Sequence, residues 1–523
     1  MVDRRIGPFR GELLGAEHLA SHARDIARRQ RIAPPSRRPD NRLLMRLDDN
    51  RQHLEAVRDS LTRAVEQDRE IGPAGEWLLD NFYIVLEHIG EIRASMPRGY
   101  YQELPKLASG YLEGSPRVYE VAIDLIAHTE GHLEADNVAF FVREFQRASS
   151  LTMGELWAIP TMLRLGLVEN IRRLAERVVH RLDETASADQ WAERIQEASG
   201  SPQEITAALA AFMEEHPRLT PTFVARFLQH IRGYQRDFKT LIWLEQWMTE
   251  EGPSPEDAVS TANQAMALTQ VMIANSITSL RMIARHDWTE FFEDQSGTEQ
   301  ILRRDPAGAY PEMTFQTRDR YRHVVEEIAR GSGRSETAIA EAALERANAA
   351  STDRPDEFWR SHVGYYLVDD GRAVFEAAVG FRAPVEAAAR RWIRRHAELV
   401  YFGGFALATA LLILIAQLLM PDAPAGWRIL AGIVTFIPAT AIASALINQI
   451  VAIVLPPGVL PKLDFVQNGI PDDARTAVVV PILLATPDAV IEALDHLERQ
   501  FLANRDPSIQ FAILGDFTDA EQE

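Results

Sequence analysis

Near the end of the 523-residue chain, two carboxylates follow the apolar run Phe511-Ala512-Ile513-Leu514, in the order Gly515-Asp516-Phe517-Thr518-Asp519. A carboxylate at the end of a strand can accept hydrogen bonds from a nucleobase N–H or from ribose hydroxyls, so Asp516 and Asp519 fit a sugar-nucleotide site. A turn or a helix N-cap accounts for the pair equally well when it is taken alone. Other reactive groups are sparse. The chain has 14 His and no Cys, which excludes disulfides, thiolate metal sites and cysteine nucleophiles. None of the histidines has the H-E-x-x-H spacing of a zinc site, and His88, His128, His216 and His362 read as ordinary core or surface residues. Tyr100-Tyr101 and Tyr365-Tyr366 could stack on a sugar, although packing of helix ends is the plainer role.

The elements around Asp516 give its placement meaning. Thr476 to Val480 is a β-branched run, apolar on both faces, as expected of a central parallel strand. Thr486 is a suitable N-cap for an amphipathic helix over Pro487 to Ala503, and Phe511 to Leu514 reads as a second buried strand. This is a β–α–β unit, whose carboxyl edge is where open α/β sheets bind ligands. A dinucleotide site would need G-x-G-x-x-G after the first strand, but residues 481–487 contain no glycine. A phosphate-gripping Walker loop is absent for the same reason.

Upstream lie two uncharged blocks. Leu399 to Met420 is long enough, at roughly 33 Å, to cross a bilayer core. A second block runs from Ile429 to Leu455, and together they predict a membrane hairpin over 399–455. Buried core helices are the alternative reading. Arg390, Arg391, Arg394 and Arg395 precede the first span, so the positive-inside rule predicts cytoplasmic arms on both sides. Pro438 is expected to kink the second span, and Thr435 and Thr440 to bond their own helix backbone. The first fifteen residues have arginines but no continuous apolar core, so no secretory signal is expected.

Residues 1–40 are rich in Arg and Pro and read as an exposed lead-in. Residues 41–395 carry helical periodicity nearly throughout, with Thr152-Met-Gly-Glu155 spaced as a capping box. Ser115-Pro116 reads as an N-cap followed by Pro at the first helical position, and Pro160 is expected to bend or restart its helix. A linker over 456–475, stiffened by Pro456-Pro457-Gly458 and Pro461, joins the hairpin to the terminal unit. The predicted fold class is mainly α: a long helical cytoplasmic region, a two-span hairpin, then a β–α–β start of an α/β domain. With 55 Lys+Arg against 75 Asp+Glu, a net charge of −20, the chain lacks the basic balance of a general nucleic-acid binder.

Several segments together carry a resemblance. TAVVVPILL and LERQFLANRDPSIQFAILGDFTDA resemble the opening of the glycosyltransferase domain of bacterial cyclic β-1,2-glucan synthases. GEWLLDNFYIVLEHI, LTMGELWAIPTMLRL, DPAGAY, TRDRYRHVVEEIAR and HVGYYLVDDG resemble that family's N-terminal region, so the likeness covers about residue 70 to the end. It implies an inner-membrane, multi-pass enzyme that uses UDP-glucose, builds a β-1,2-linked chain attached to the protein and closes it into a ring. By similarity to inverting nucleotide-sugar transferases, Pro481 marks a first-strand loop lining the donor, Asp516 the first donor-binding aspartate, and Asp519 the second acidic position. Ile482 departs from the pattern, standing where a small hydroxyl residue is common.

Family members are much longer, and the resemblance implies Mg or Mn for the complete enzyme. An inverting transfer needs a base for the attacking hydroxyl and a metal or basic groups for the leaving diphosphate. No D-x-D element and no acceptor-side base is recognised in 476–523. No catalytic or metal residue is therefore assigned within the chain, and it is expected to be an N-terminal piece, incomplete in its transferase domain and inactive alone. Its expected partners are the lipid bilayer, the remainder of the synthase and UDP-glucose. The alternative is a membrane-anchored helical scaffold for a separately encoded glycosyltransferase.

Overall fold

The computed structural model describes residues 9, 11–34, 41–198, 201–215, 218–234, 246–250, 253–353, 356–420, 424–455, 459–466, 469–517 and 519. It is mainly helical and divides into two compact units, Met1–Gly297 and Thr298–Glu523.

The first unit is organised on one helix, Met153–Glu197, whose 45 residues extend about 68 Å. Leu156, Met162, Leu163, Leu165, Val168 and Ile171 are all buried, so apolar residues point to several sides and neighbouring helices enclose it. The expected capping box forms: Thr152 Oγ1 accepts the Glu155 amide at 3.3 Å, and Glu155 accepts the Thr152 amide at 2.9 Å. The Glu155 carboxylate also accepts Arg117 Nη2 at 2.8 Å, which fastens the cap to the helix Arg117–His128. The helix does not restart at Pro160 but continues through it. Pro160 removes one backbone hydrogen bond and its ring crowds the carbonyl of residue 156, a local cost that the packing of the long helix outweighs.

Two other expectations are corrected. Ser115 does not cap its helix; Pro116 occupies that position. The Ser115 carbonyl is instead taken by the Leu107 amide and the Pro105 carbonyl by the Arg117 amide, both at 2.9 Å, which holds 115–116 extended. The lead-in is not exposed throughout, because Ala16–Arg29 is a helix that buries Leu19, Ala23 and Ile26. Arg29 meets Asp124 at 3.0 Å, and Arg24 pairs with Glu144.

At the centre of this unit Glu169 has no exposed side-chain surface. It accepts Tyr119 Oη at 2.8 Å and Arg173 Nη2 at 2.5 Å, and is also bonded by Arg46 from the helix Arg42–Glu66. Burial pushes its carboxyl pKa up, but the bonds and charges of Arg46 and Arg173 and the Tyr119 hydroxyl outweigh that and hold it below the usual glutamate range.

The second unit begins with a small helical layer built on Phe315–Ser332, Glu336–Asp353, Val363–Val368 and Arg372–Val379. Glu299 anchors it, accepting Tyr310 Oη at 2.7 Å and Arg322 Nη1 at 2.8 Å. The amphipathic helix Val385–Arg395 leads into two helices long and apolar enough to cross a membrane, Ala397–Leu418 and Ala425–Val454. Their bounds shift by two to four residues from the uncharged blocks at the starts, because a helix can extend into polar flanks. Tyr401 Oη donates to Asn448 across the pair at 3.0 Å. Thr435 and Thr440 donate to their own helix at Ala431 and Ile437, as expected, and the second helix runs through Pro438.

Pro456-Pro457-Gly458 lie outside the described residues. Beyond them the expected linker is partly ordered against the helical layer. The Thr314 amide donates to Lys462 O at 2.9 Å, the Asp464 amide to Glu312 O at 2.7 Å, and the Lys462 amide to Thr317 Oγ1 at 3.0 Å. The chain then forms β1, Thr476–Leu483, the helix Pro487–Ala503 capped by Thr486, and β2, Ile509–Asp516, parallel to β1. Both strands are longer than expected. They are also not buried: Val479 is 46% and Leu514 64% exposed. Among the described residues the sheet has these two strands, so its outer edges lack neighbours.

Replacing Glu169 with Gln should leave Arg46 and Arg173 charged in a closed site, lowering the free energy of unfolding by about 3 kcal/mol. The depressed carboxyl pKa gives stability that is present above the unfolded value of about 4.3 and is lost as pH falls through the folded value. Urea unfolding of both chains at several pH values should show the gap at neutral pH and its closure in acid. Equal stability at neutral pH would contradict this assignment.

Candidate functional site

The parallel ladder decides where the expected donor residues fall. Pro481 is paired with Leu514 and Leu483 with Asp516, so Pro481 and Asp516 share the carboxyl edge, two register positions apart. Pro481 is within β1 rather than in the loop after it, which corrects the sequence placement. The reason lies in the hydrogen bonding. The Thr476 amide donates to Ser508 O at 2.9 Å and the Leu484 amide to Asp516 O at 2.7 Å, so the even-numbered amides of β1 face β2. Pro481 therefore has its missing N–H on the side away from β2, where the ladder loses nothing.

Asp516 is the last residue of β2, and its Oδ1 accepts the Phe517 amide at 2.9 Å. That bond orients the carboxylate at the strand end, where the side chain is exposed and can accept further donors. Gly515 precedes it because a Cβ there would meet Leu484 Cδ1 at 2.8 Å. Asp519 is also exposed, in irregular chain beyond β2. Asp506 steadies the opposite end of the strand by accepting the Ile470 and Ser508 amides at 2.9 and 2.8 Å. The edge thus offers the Asp516 carboxylate, and Asp519 follows three residues further along the chain. Among the described residues no cluster of three acidic or imidazole groups occurs. No step is assigned to a metal here.

The sequence reading missed a second feature, a cavity of about 630 Å³ in the helical layer of the same unit. Its polar wall is a relay. Asp305, with no side-chain exposure, accepts His362 Nδ1 at 2.7 Å and the Val363 and Tyr310 amides at 2.9 and 3.2 Å. A carboxylate only accepts, so Nδ1 carries the proton and, in the neutral ring, Nε2 accepts from Tyr321 Oη at 3.3 Å. Burial pushes the Asp305 pKa up, but His362 and the two amides outweigh it and hold the group below the usual aspartate range. Burial and then the Asp305 charge push the Tyr321 hydroxyl up to about 12, so it stays protonated. Gly364 is required beneath this pair: a Cβ there would lie 2.4 Å from His362 Nε2 and 2.6 Å from Tyr321 Oη.

The tyrosine pairs divide differently from a shared stacking role. Tyr366 is buried and donates to Arg346 O at 3.3 Å. Tyr365 reaches the cavity, but Arg360 lies over its ring at 5.3 Å and Gly371 packs on its edge. Tyr101 is buried, and the side chain of Tyr100 is outside the described residues, as is His216. The open aromatic surface belongs instead to Phe358 and Trp359, which meet edge to face at 5.7 Å. DPAGAY and HVGYYLVDDG were legible as segments, but nothing local announces that residues 57 apart share a hydrogen bond.

No family model matches the chain. The cyclic β-(1,2)-glucan synthase NdvB of Rhizobium meliloti (strain 1021) is 32% identical over 486 residues, a stretch that takes in 91% of this chain. The chain spans 17% of the length of that relative. Along nearly its whole length, therefore, the chain is similar to one part of a cyclic β-(1,2)-glucan synthase, as its motifs lead one to expect.

Proposed function

We propose that this chain is the N-terminal part of a membrane enzyme that makes cyclic β-1,2-glucan from UDP-glucose. The observation that carries the reading is the 32% identity extending over 91% of the chain. The two apolar helices cross the inner membrane, and the arms before Ala397 and after Val454 are cytoplasmic, where a nucleotide-sugar donor is available. The strands β1 and β2 begin the glycosyltransferase domain. At their carboxyl edge Asp516 and Asp519 accept hydrogen bonds from the donor nucleoside, with Pro481 beside them.

The chemistry divides between this edge and the rest of the synthase. Glucosyl transfer forms a bond from an acceptor hydroxyl to the anomeric carbon and breaks the bond to UDP, so a base takes the hydroxyl proton and a cation steadies the leaving diphosphate. This chain orients the donor; the base and the cation come from the remainder of the enzyme, and the chain alone is inactive.

A chimaera in which this chain replaces the matching segment of the Rhizobium synthase tests the reading in a strain lacking that enzyme. Cyclic β-1,2-glucan should be restored, and a chimaera that accumulates in the membrane without making glucan would overturn it. The absence of cysteine makes the topology directly measurable. In spheroplasts an impermeant maleimide should label Ala425→Cys and should label Asp488→Cys only after lysis. The reverse pattern would contradict cytoplasmic arms.

A further inference from the structure

We propose that the cavity in the helical layer holds a segment of β-1,2-linked glucan, with Trp359 and Phe358 as the surface on which glucose rings stack. This rests on the glucan synthase reading above and adds to it a carbohydrate site apart from the donor edge. Three observations point to a neutral sugar chain.

The first is the aromatic surface. Phe358 is 73% and Trp359 49% exposed, and both line a cavity whose volume of about 630 Å³ lies within the usual range for small-ligand sites. Pyranose rings present C–H faces that pack on aromatic rings while their hydroxyls point outward. Two large exposed rings set edge to face at a cavity mouth match such a ligand.

The second is the polar lining. Tyr321 Oη and His362 Nε2 are fixed by the buried Asp305 and seated over Gly364, so they form a preset wall for hydroxyl groups. Arg320 and Lys462 line the cavity with two positive charges, which Asp369 in the lining and the ionised Asp305 behind His362 offset. An anionic head group would call for a surplus of free positive charge, whereas a neutral polyol is served by this balance.

The third is position in the chain. The wall formed by Val459 to Lys462 begins five residues after the second apolar helix ends at Val454, and the same segment continues to β1. A glucan segment held there is retained beside the stretch that joins the hairpin to the donor edge.

The full chain in neutral detergent micelles, titrated calorimetrically with linear β-1,2-gluco-oligosaccharides, should bind saturably. Binding should be about tenfold weaker or more in Trp359→Ala, and weaker also in Phe358→Ala and His362→Gln. The first two side chains are exposed, so circular dichroism and thermal unfolding should match the unaltered chain. A β-1,4 isomer of the same length should bind about tenfold more weakly. The proposal is overturned by absence of saturable binding, by binding that Trp359→Ala leaves unchanged, or by equal affinity for the β-1,4 isomer. It is also overturned if brominated lipid in nanodiscs quenches fluorescence lost in Trp359→Ala, which would place that ring in the bilayer. Titration of the isolated chain is independent of glucan synthesis by the chimaera, so failure here and failure of the functional reading are separate results.

Discussion

A short antiparallel contact fixes the layout of the second unit: the Thr314 amide on the Lys462 carbonyl, the Asp464 amide on the Glu312 carbonyl, and the Lys462 amide on Thr317 Oγ1. It fastens the chain leaving the second apolar helix to the small helical layer. Without it, Val459 to Lys462 would not form a wall of the cavity, and the route from the hairpin to β1 would be unconstrained. Arg320 adds a side-chain bond to Val459 O, and Arg318 donates to Pro311 O at 3.2 Å, holding the loop that receives the returning chain. Two of the three bonds across the contact join backbone groups, so they depend weakly on side-chain identity.

Two buried glutamates support the helical parts in a similar way. Glu169 and Glu299 each accept a tyrosine hydroxyl and arginine side chains, and neither has exposed side-chain surface. A buried carboxylate is costly unless each oxygen is bonded, and these are. Each ties together segments distant in the sequence: Arg46 lies 123 residues from Glu169, and Arg322 lies 23 from Glu299. The Glu299 cluster lies in the same unit as the Asp305, His362 and Tyr321 relay, whose geometry depends on three different elements and so requires a rigid surround.

Local signals were the legible ones. Thr152 and Glu155 make their capping box because the bonds span three residues, and the apolar helices are recognisable because long uncharged runs are rare in soluble domains. The β–α–β order was also legible, and it placed Asp516 at a strand end. The helix Ala16–Arg29 was hidden by its arginines, although Leu19, Ala23 and Ile26 have the i, i+4, i+7 spacing of a helical face. Strand exposure could not be read from Thr476 to Val480, since burial depends on what covers a strand and not on the strand's own residues. The cavity was not legible because its parts come from three separated stretches, and the ladder parity that accommodates Pro481 within β1 emerges only from the register.

The central claim is that the carboxyl edge of β1 and β2 binds the sugar-nucleotide donor. The most direct measurement is the initial rate of glucose incorporation by the Rhizobium chimaera carrying Asp516→Asn, followed across UDP-glucose concentrations. Asp516 is exposed and lies outside the packed interior, so the variant should accumulate normally while its apparent KM for UDP-glucose rises or its turnover falls by about tenfold or more. Unchanged KM and turnover in a normally accumulating variant would contradict the account.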